Sequence, residues 1–327
     1  MKLILLHRRE FFIYSTEPTF KLNNQIYLTM KTRHKLMMII LLPAAGFMLS
    51  QCKKTEDTVI VSKEVVKLGT SATLGSYLTD KDGNALYYFS NDAAGANNCT
   101  GGCITNWPIF FASGLTQLKL GTGLLLADFD SITSANGKQL TYKGWPLYYY
   151  SPGGVREMPG QTTGENVGGV WFVAKPDYTI MIANLQLHGI NGKDYTVSST
   201  NVYTEGVGKS IYFTDQMGRT LYIFANDSAN INKWTSTDAA HNASWPIYET
   251  EIAVVPSALD KTLFGSITIF GKKQLTYKGW PMYYFGADVG TDGKYRGNNK
   301  GVSVGSSATA QTKWPILFKD MPAAPHK

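Results

Sequence analysis

The chain has 327 residues, a formal net charge of +7 and 13% aromatic residues, but only three cysteines and five histidines. Residues 1–51 hold seven Lys or Arg and two Asp or Glu, so the rest of the chain carries 24 positive and 22 negative side chains, a net charge of +2. With no basic block in that remainder, the composition excludes nucleic acid as a partner, and the length allows one large core or two smaller ones.

A signal peptide is predicted at residues 30–51. A short basic stretch at 31–35 precedes fourteen mostly apolar residues at 36–49, which is the order of regions in a secretory signal. The apolar stretch is too short for a comfortable membrane span. Because this signal is complete from Met30, we expect translation to begin there and residues 1–29 to be a non-native extension.

The sequence LSQC at residues 49–52 resembles the lipobox of bacterial lipoproteins. That resemblance implies a lipidated Cys52, a membrane partner through the lipid, and a place in the cell envelope on the outer membrane, either periplasmic or surface-exposed. Gln51 departs from the small residue usual in the motif. The alternative is ordinary secretory cleavage near Ala44 with an unmodified Cys52. The polar residues 52–67 are predicted to form a tether.

Two strings are written twice in the chain. KQLTYKGWPLYYY at 138–150 returns as KQLTYKGWPMYYF at 273–285, and DGNALYYFSND at 82–92 returns as MGRTLYIFAND at 217–227. Both pairs have the same offset, so two tandem copies of one domain are predicted. The predicted boundaries are 68–185 for repeat domain 1, 186–204 for a connector, 205–320 for repeat domain 2 and 321–327 for a tail.

Each half also repeats internally, because an aromatic strand core occurs four times and a Trp follows each core. Gly-containing turns such as Asp82-Gly83 separate the strands, and a Pro after Trp suits a strand start. The sequence therefore predicts an all-β protein of two related halves, each built from two aromatic-rich antiparallel units. Small barrels, sandwiches and a propeller-like ring remain open as architectures. The four cores are 86–89, 147–150, 221–224 and 282–285.

The cysteines Cys99 and Cys103 are close together, and an oxidising compartment favours a disulfide between them. A redox-active pair and a metal site are the alternatives, although no His lies nearby to complete a metal site. In the second half Trp234 and Asp238 stand at the same offset. The loss of the pair there indicates a staple for one loop and not a function shared by both halves.

Several motifs combine in an order that resembles the bacterial secreted-repeat lipoproteins, a family whose function is not established. The resemblance covers about residues 70–180 and again 205–320, and it implies lipoprotein export and a repeat domain but no enzyme. The motifs are Tyr87-x-Phe89-x-x-Asp92, Tyr222-x-Phe224-x-x-Asp227, Cys99-Thr-Gly-Gly-Cys103 with Trp107-Pro108, Gln139-x-x-Tyr142-x-Gly144, and Gly168-Gly169-Val170-Trp171.

Three acids end aromatic strands: Asp92, Asp227 and Asp288. The fourth position holds Gly153 instead. These acids are predicted to be turn carboxylates that accept backbone N–H groups. A repeated contact with a ligand or cation is the alternative.

The two KGWP turns present Trp145 and Trp280. These rings either cap the core at a strand end or stack on a sugar, a planar cofactor or a partner protein. The full set of candidate binding positions is Tyr87, Phe89, Asp92, Tyr142, Trp145, Tyr222, Phe224, Asp227, Tyr277, Trp280 and Asp288.

No catalytic arrangement is evident in the sequence. His188 and His241 are not in equivalent places, and no nucleophile motif is present. The acids of residues 80–84 fit a hairpin turn better than a calcium loop. We therefore expect a non-enzymatic binding or scaffold module with a protein or glycan partner and no cofactor or metal. The alternatives are a redox-linked or cofactor-binding lipoprotein that uses Cys99 and Cys103 with the aromatic clusters, and then an envelope hydrolase.

Overall fold

A computed structural model describes residues 64–251, 254–305 and 313–326. The predicted signal peptide, Cys52 and residues 52–63 of the tether lie outside the described residues. Within the described ranges, no helix combines the length and apolar character needed to cross a bilayer. The described residues belong to one compact unit that contains both halves.

The described residues are mostly strand and turn, and every strand pair is antiparallel. The strands are β1 (Val66–Ser71), β2 (Gly75–Asp80), β3 (Tyr87–Phe89), β4 (Phe129–Ser134), β5 (Gly137–Tyr142), β6 (Trp145–Pro146), β7 (Trp171–Val173), β8 (Met181–His188), β9 (Asp194–Val197), β10 (Tyr203–Glu205), β11 (Lys209–Thr214), β12 (Phe264–Ile269), β13 (Lys272–Tyr277) and β14 (Trp280–Pro281).

The helices are short. They are α1 (Cys103–Asn106), α2 (Ala239–Ser244) and 3-10 turns at Ser90–Asp92, Gln117–Lys119, Leu126–Asp128, Pro152–Gly154, Val167–Gly169, Lys261–Leu263 and Lys300–Ser303.

The predicted all-β fold with two related halves is confirmed. Its sheets have the orders β1-β2, β3-β7, β4-β5-β6, β10-β9-β8-β11 and β12-β13-β14. Among the described residues none of these sheets closes into a barrel. The hairpins β4-β5 and β12-β13 have the same register, because Phe129 faces Tyr142 as Phe264 faces Tyr277.

Each half opens with an equivalent strand pair. In the first half β1 pairs with β2, and in the second half β8 pairs with β11. Strand β8 runs from 181 to 188, so it crosses residue 185, where the first repeat domain was predicted to end. The predicted connector 186–204 forms the end of β8, all of β9 and the start of β10.

The two units of a half join at one pair of tyrosines. The backbone N–H of Tyr87 donates to the carbonyl of Tyr148 at 2.9 Å, and the backbone N–H of Tyr148 donates to the carbonyl of Tyr87 at 2.9 Å. On either side, Tyr87 pairs with Val173 and Tyr148 bridges to Ile109. Four short segments therefore lie side by side, with an approximate two-fold relation between the units.

The second half builds the same junction. Tyr222 and Tyr283 exchange two backbone bonds of 2.9 Å each, and Ile316 and Ile247 bridge to their outer edges. The repeated aromatic strings thus form the centre of each half, where all four tyrosines are fully buried.

Four aromatic rings stack beside each junction. In the first half Trp171 and Trp107 lie face to face with ring centroids 3.8 Å apart, and Phe89 and Tyr150 cover their outer faces at 4.0 and 4.5 Å. Each unit supplies one Trp and one outer ring, so the stack ties the two units together. Such offset stacking adds to the large apolar area that these side chains bury.

The second stack has the same order and nearly the same spacing. Trp314 and Trp245 are 3.8 Å apart, and Phe224 and Phe285 cover them at 4.5 and 4.4 Å. The Trp that follows each aromatic core in the sequence is therefore a partner in one of these two stacks.

Replacing Trp107 by Ala is expected to destabilise the protein by about 3–5 kcal/mol, because the change leaves a cavity at the middle of a stack. Trp107→Phe keeps an aromatic face and is expected to cost clearly less. Chemical unfolding followed by far-UV circular dichroism measures both losses. A cost for Trp107→Ala no larger than that for Trp107→Phe contradicts this account of the stack.

Candidate functional site

The buried tyrosines of the first half bind acids from the opposite unit. Tyr148, in the second unit, donates its hydroxyl to Asp92 at 2.5 Å, and Asp92 follows the first unit's aromatic strand. Tyr87, in the first unit, donates to Glu157 at 2.5 Å, and Glu157 follows the second unit's strand. The two pairs therefore cross between the units and reinforce the backbone exchange.

The second half repeats the crossed pattern. Tyr283 donates to Asp227 at 2.8 Å, and Tyr222 donates to Asp288 at 2.6 Å. All four acids are buried, although carboxylates rarely occur in cores without partners. The hydroxyl groups supply those partners, so each pair satisfies two groups that burial would otherwise leave unpaired.

Sequence reasoning missed Glu157. The motif leads to Gly153, which has no side chain, and the structure places the acid four residues later. Glu157 also accepts the backbone N–H and the hydroxyl of Thr163, both at 2.8 Å. The only sequence signal was an unassigned acid shortly after the third aromatic core, and its role follows from contact with Tyr87, 70 residues away.

The acids also fix the loops that follow them. Asp92 accepts the backbone N–H of Asn98 at 2.7 Å, as Asp227 accepts that of Lys233 at 2.7 Å. These bonds close the turns that follow the two aromatic strands. Buried Gln139 holds the same loop from the other side, since its carbonyl oxygen accepts from Asn97 at 2.6 Å.

Burial changes the acid–base behaviour of these pairs. It raises the pKa of Asp92 and of Asp227 to about 6 and that of Asp288 to about 7, because the charged form loses its solvation. The tyrosine hydroxyls oppose that rise by donating to the carboxylates. The pKa values of Tyr148 and Tyr283 rise far above their ordinary value for the same reason of burial, so these hydroxyls remain donors.

The two Trp residues of the KGWP turns are buried. Trp145 donates its ring N–H to the carbonyl of Gln216 at 3.0 Å, and Trp280 donates to that of Pro322 at 2.7 Å. Tyr277, also buried, donates to the carbonyl of Lys319 at 2.8 Å. These rings cap the core, and stacking on a ligand would require the covering segments to move away.

The remaining candidates are likewise in the interior. Tyr142 is buried and lies 4.9 Å from Phe129, while Phe89 and Phe224 are the outer rings of the stacks. The structure thus buries the aromatic candidate residues in three hydrophobic clusters, one of which joins Trp145 to the core of the second half. It does not bring them to an open surface.

Cys99 and Cys103 form a disulfide, with Cα atoms 5.3 Å apart. The loop is held further by Asn136, whose side-chain N–H donates to the carbonyl of Cys99 at 3.0 Å. In the second half Trp234 stacks on His241 at 4.3 Å instead. A ring contact therefore replaces the covalent staple.

A groove opens in the second half between α2 and the turn of the β12–β13 hairpin. Its volume is about 540 Å³, within the range of small-molecule sites. The floor is mainly apolar, and the rim carries hydroxyl groups and an ion pair between Lys272 and Glu249 at 2.7 Å. The lining includes Thr235, Ala239, Asn242, Ala243, Ile247 and Phe270.

Phe270 stands at the edge of this groove in an unusual backbone conformation. Its φ is +46°, a region that side chains other than Gly rarely adopt, and its side chain is 60% exposed. The first half has Ala135 at the matching place in the β4–β5 hairpin. Strained and exposed positions of this kind are often functional, and no repeat signal in the sequence pointed to this one.

The histidines do not converge with other catalytic groups. His188 contacts Asp194 at 2.6 Å on an exposed strand end, and His241 donates its Nε2–H to the carbonyl of Trp234 at 3.0 Å. Among residues 64–251, 254–305 and 313–326, no group of three or more His, Cys, Asp or Glu side chains is placed to hold a metal ion.

A family described as a secreted repeat of unknown function matches residues 70–110 and 130–175. These ranges are the two units of the first half, so the resemblance predicted from the motifs is confirmed. The chain is therefore similar to this family of secreted repeats over its first half, and the similarity indicates a place in the envelope or outside the cell. No curated protein and no solved structure matches the chain.

The buried acids predict an unusual dependence of stability on pH. Each has a higher pKa in the folded protein than its ordinary value of 3.8, so the folded state binds protons that the unfolded chain releases. The contribution of these acids to the free energy of unfolding is therefore complete below about pH 4, and it is lost as the pH rises through about 6–7.

Asp288→Asn is expected to remove the Asp288 part of this dependence. Relative to the native protein, the variant should gain on the order of 4 kcal/mol between about pH 4 and about pH 8, because each unit of pKa difference is worth about 1.4 kcal/mol. Urea unfolding at a series of pH values measures the difference, with the exposed Asp292→Asn as the matched control. A constant difference between Asp288→Asn and the native protein across that pH range would show that this carboxyl is not shifted.

Proposed function

We propose that this protein is a non-enzymatic lipoprotein of the cell envelope that binds a protein or glycan partner through the groove of its second half. The lipid on Cys52 would hold it at the outer membrane, and the tether would give the compact unit its reach. The observation that carries this proposal is exposed, strained Phe270 beside a groove of about 540 Å³.

The burial of the core residues supports this choice, because a buried side chain cannot contact a ligand. The four tyrosines, their acids and the stacked Trp residues are buried in both halves, so they provide a rigid support. A ligand contacts surface, and the groove is one place where the surfaces of the two halves differ. In the first half Asn136 ties the hairpin turn to the disulfide loop, whereas the second half has Phe270 near that turn.

The groove offers both apolar and polar contacts to a partner. Apolar side chains of Ala239, Ala243 and Ile247 offer contact area, and Thr235 and Asn242 add polar groups. A sugar ring with one apolar face, or an aromatic side chain of a protein, matches this combination.

The alternative of a redox-linked or cofactor-binding lipoprotein depends on Cys99 and Cys103 together with the aromatic clusters. The second half forms the same ring stack and the same crossed tyrosine–acid pairs, although Trp234 stands where the first half has Cys99. Since the shared architecture does not need the disulfide, the binding interpretation has the stronger support.

Phe270→Ala is expected to weaken partner binding by about tenfold or more, because aromatic anchors carry a large share of interface energy. The test uses the soluble chain that begins after Cys52, applied to an array of envelope and host glycans and to immobilised envelope proteins. The matched control is Leu118→Ala, which removes an apolar side chain that is 89% exposed in the first half.

Binding by the native chain that survives Leu118→Ala and is lost in Phe270→Ala supports the groove as the site. Equal binding by the native chain and Phe270→Ala would contradict it. Melting temperatures of all three proteins show whether the fold is intact.

A further inference from the structure

The second half covers one surface of the first half, which we call the Trp145 face and define by Ala93, Lys143 and Trp145. The ring N–H of Trp145 donates to the carbonyl of Gln216 at 3.0 Å, and the ammonium of Lys143 donates to the side-chain oxygen of Gln216 at 2.5 Å. The guanidinium of Arg296 donates to the carbonyls of Ala93 and Lys143. A turn and one cation of the second half therefore close this face.

The close approach of Arg296 and the backbone conformation both favour glycine on the two sides. A Cβ atom on Gly144 would lie 2.7 Å from the guanidinium of Arg296, and one on Gly218 would lie 2.8 Å from it. Both glycines also have positive φ. The Trp145 face is thus built to receive the turn at residues 215–219 together with Arg296.

The second half has an equivalent Trp280 face, defined by Lys278 and Trp280 with Ala229. Here residues 322–326 take the place of a neighbouring repeat. The ring N–H of Trp280 donates to the carbonyl of Pro322 at 2.7 Å, and the N–H of Ala324 donates to the carbonyl of Lys278 at 2.9 Å.

The two faces use the same groups for the same purpose. The indole N–H of Trp145 or Trp280 is satisfied by a backbone carbonyl, and the carbonyl of Lys143 or Lys278 accepts from an N–H group of the covering segment. Both lysines have positive φ, at +48° and +49°. Residues 322–326 therefore occupy a surface whose counterpart binds another repeat.

The turn that docks on the Trp145 face also has a counterpart in the first half. Asp215 accepts the backbone N–H of Arg219 at 2.9 Å, and Asp80 accepts that of Asn84 at 2.9 Å. Lys81, within the turn at residues 80–84, is exposed. The chain thus carries a second docking turn, in which Lys81 and Asp82 are exposed, and one docking face closed by its own segment.

We propose that the Trp280 face is a binding surface for the 80–84 turn of a second copy of this chain, and that residues 322–326 compete with that copy for it. Turn and face lie at different places on one chain, so the contact is heterologous and joins copies head to tail. In the first-half turn Pro159 lies against Gly83, and at the matching place in the second half Arg296 lies against Gly218. The contact between copies is therefore weaker than the contact between halves.

The test compares the soluble chain that begins after Cys52 with a variant that lacks residues 322–327 but keeps buried Met321. Sedimentation velocity over a range of concentrations measures association. The intact chain is expected to stay monomeric, and the shortened chain to form concentration-dependent oligomers. A synthetic peptide of residues 322–327 added in excess should reverse them.

Asp80→Ala in the shortened chain breaks the docking turn and is expected to abolish the oligomers. Oligomers that persist in this variant, or a shortened chain that is folded and monomeric at every concentration, would overturn the proposal.

A second variant covers the case in which the shortened chain does not fold. Ala324→Arg keeps the whole segment but places a large side chain at a buried position beside Gly279. It is expected to displace the segment and cause the same association. Circular dichroism establishes folding, and a folded, monomeric Ala324→Arg protein would also overturn the proposal.

Discussion

The structure depends on the need of a buried tyrosine hydroxyl for an acceptor. Each aromatic strand places one tyrosine at the centre of its half, and the hydroxyl meets a carboxylate only on the other unit of that half. A unit alone would bury an unpaired tyrosine hydroxyl, at a cost of about 1–3 kcal/mol, and its own acid would lose the hydroxyl donor while keeping the N–H donors of its loop. The crossed pairs therefore make the two units of a half mutually dependent, and the stacked Trp pair adds apolar area at the same junction.

The repeated core separates support from recognition. Both halves use the same crossed pairs and the same ring stack, and they differ in their loops, in their exposed faces and in the extra strands of the sheet β10-β9-β8-β11. A disulfide between Cys99 and Cys103 holds a loop in the first half, and the Trp234–His241 contact holds the corresponding loop in the second half. The groove beside Phe270 and the segment over Trp280 are the places where the second half differs in what it offers to other molecules.

Local patterns in the sequence were sufficient to predict the all-β class, the two halves, their four units and the disulfide, because turns, aromatic strand cores and cysteine spacing are short-range signals. Longer-range features were not predictable. Glu157 lies outside the motif position and is defined only by contact with Tyr87. The burial of Trp145 depends on a turn 71 residues away. The groove forms between α2 and the β12–β13 hairpin, which are distant in the sequence, so no single motif predicts it. The sequence analysis therefore placed the candidate site in the core and missed the surface groove.

The most direct test of the central claim is a double-mutant cycle on Tyr148 and Asp92, repeated on Tyr283 and Asp227. Tyr→Phe and Asp→Asn are made singly and together, and chemical unfolding gives the coupling free energy of each pair. The crossed-pair account predicts a coupling of about 1–3 kcal/mol that is similar in the two halves. Additive single changes, with coupling near zero in either half, would contradict it.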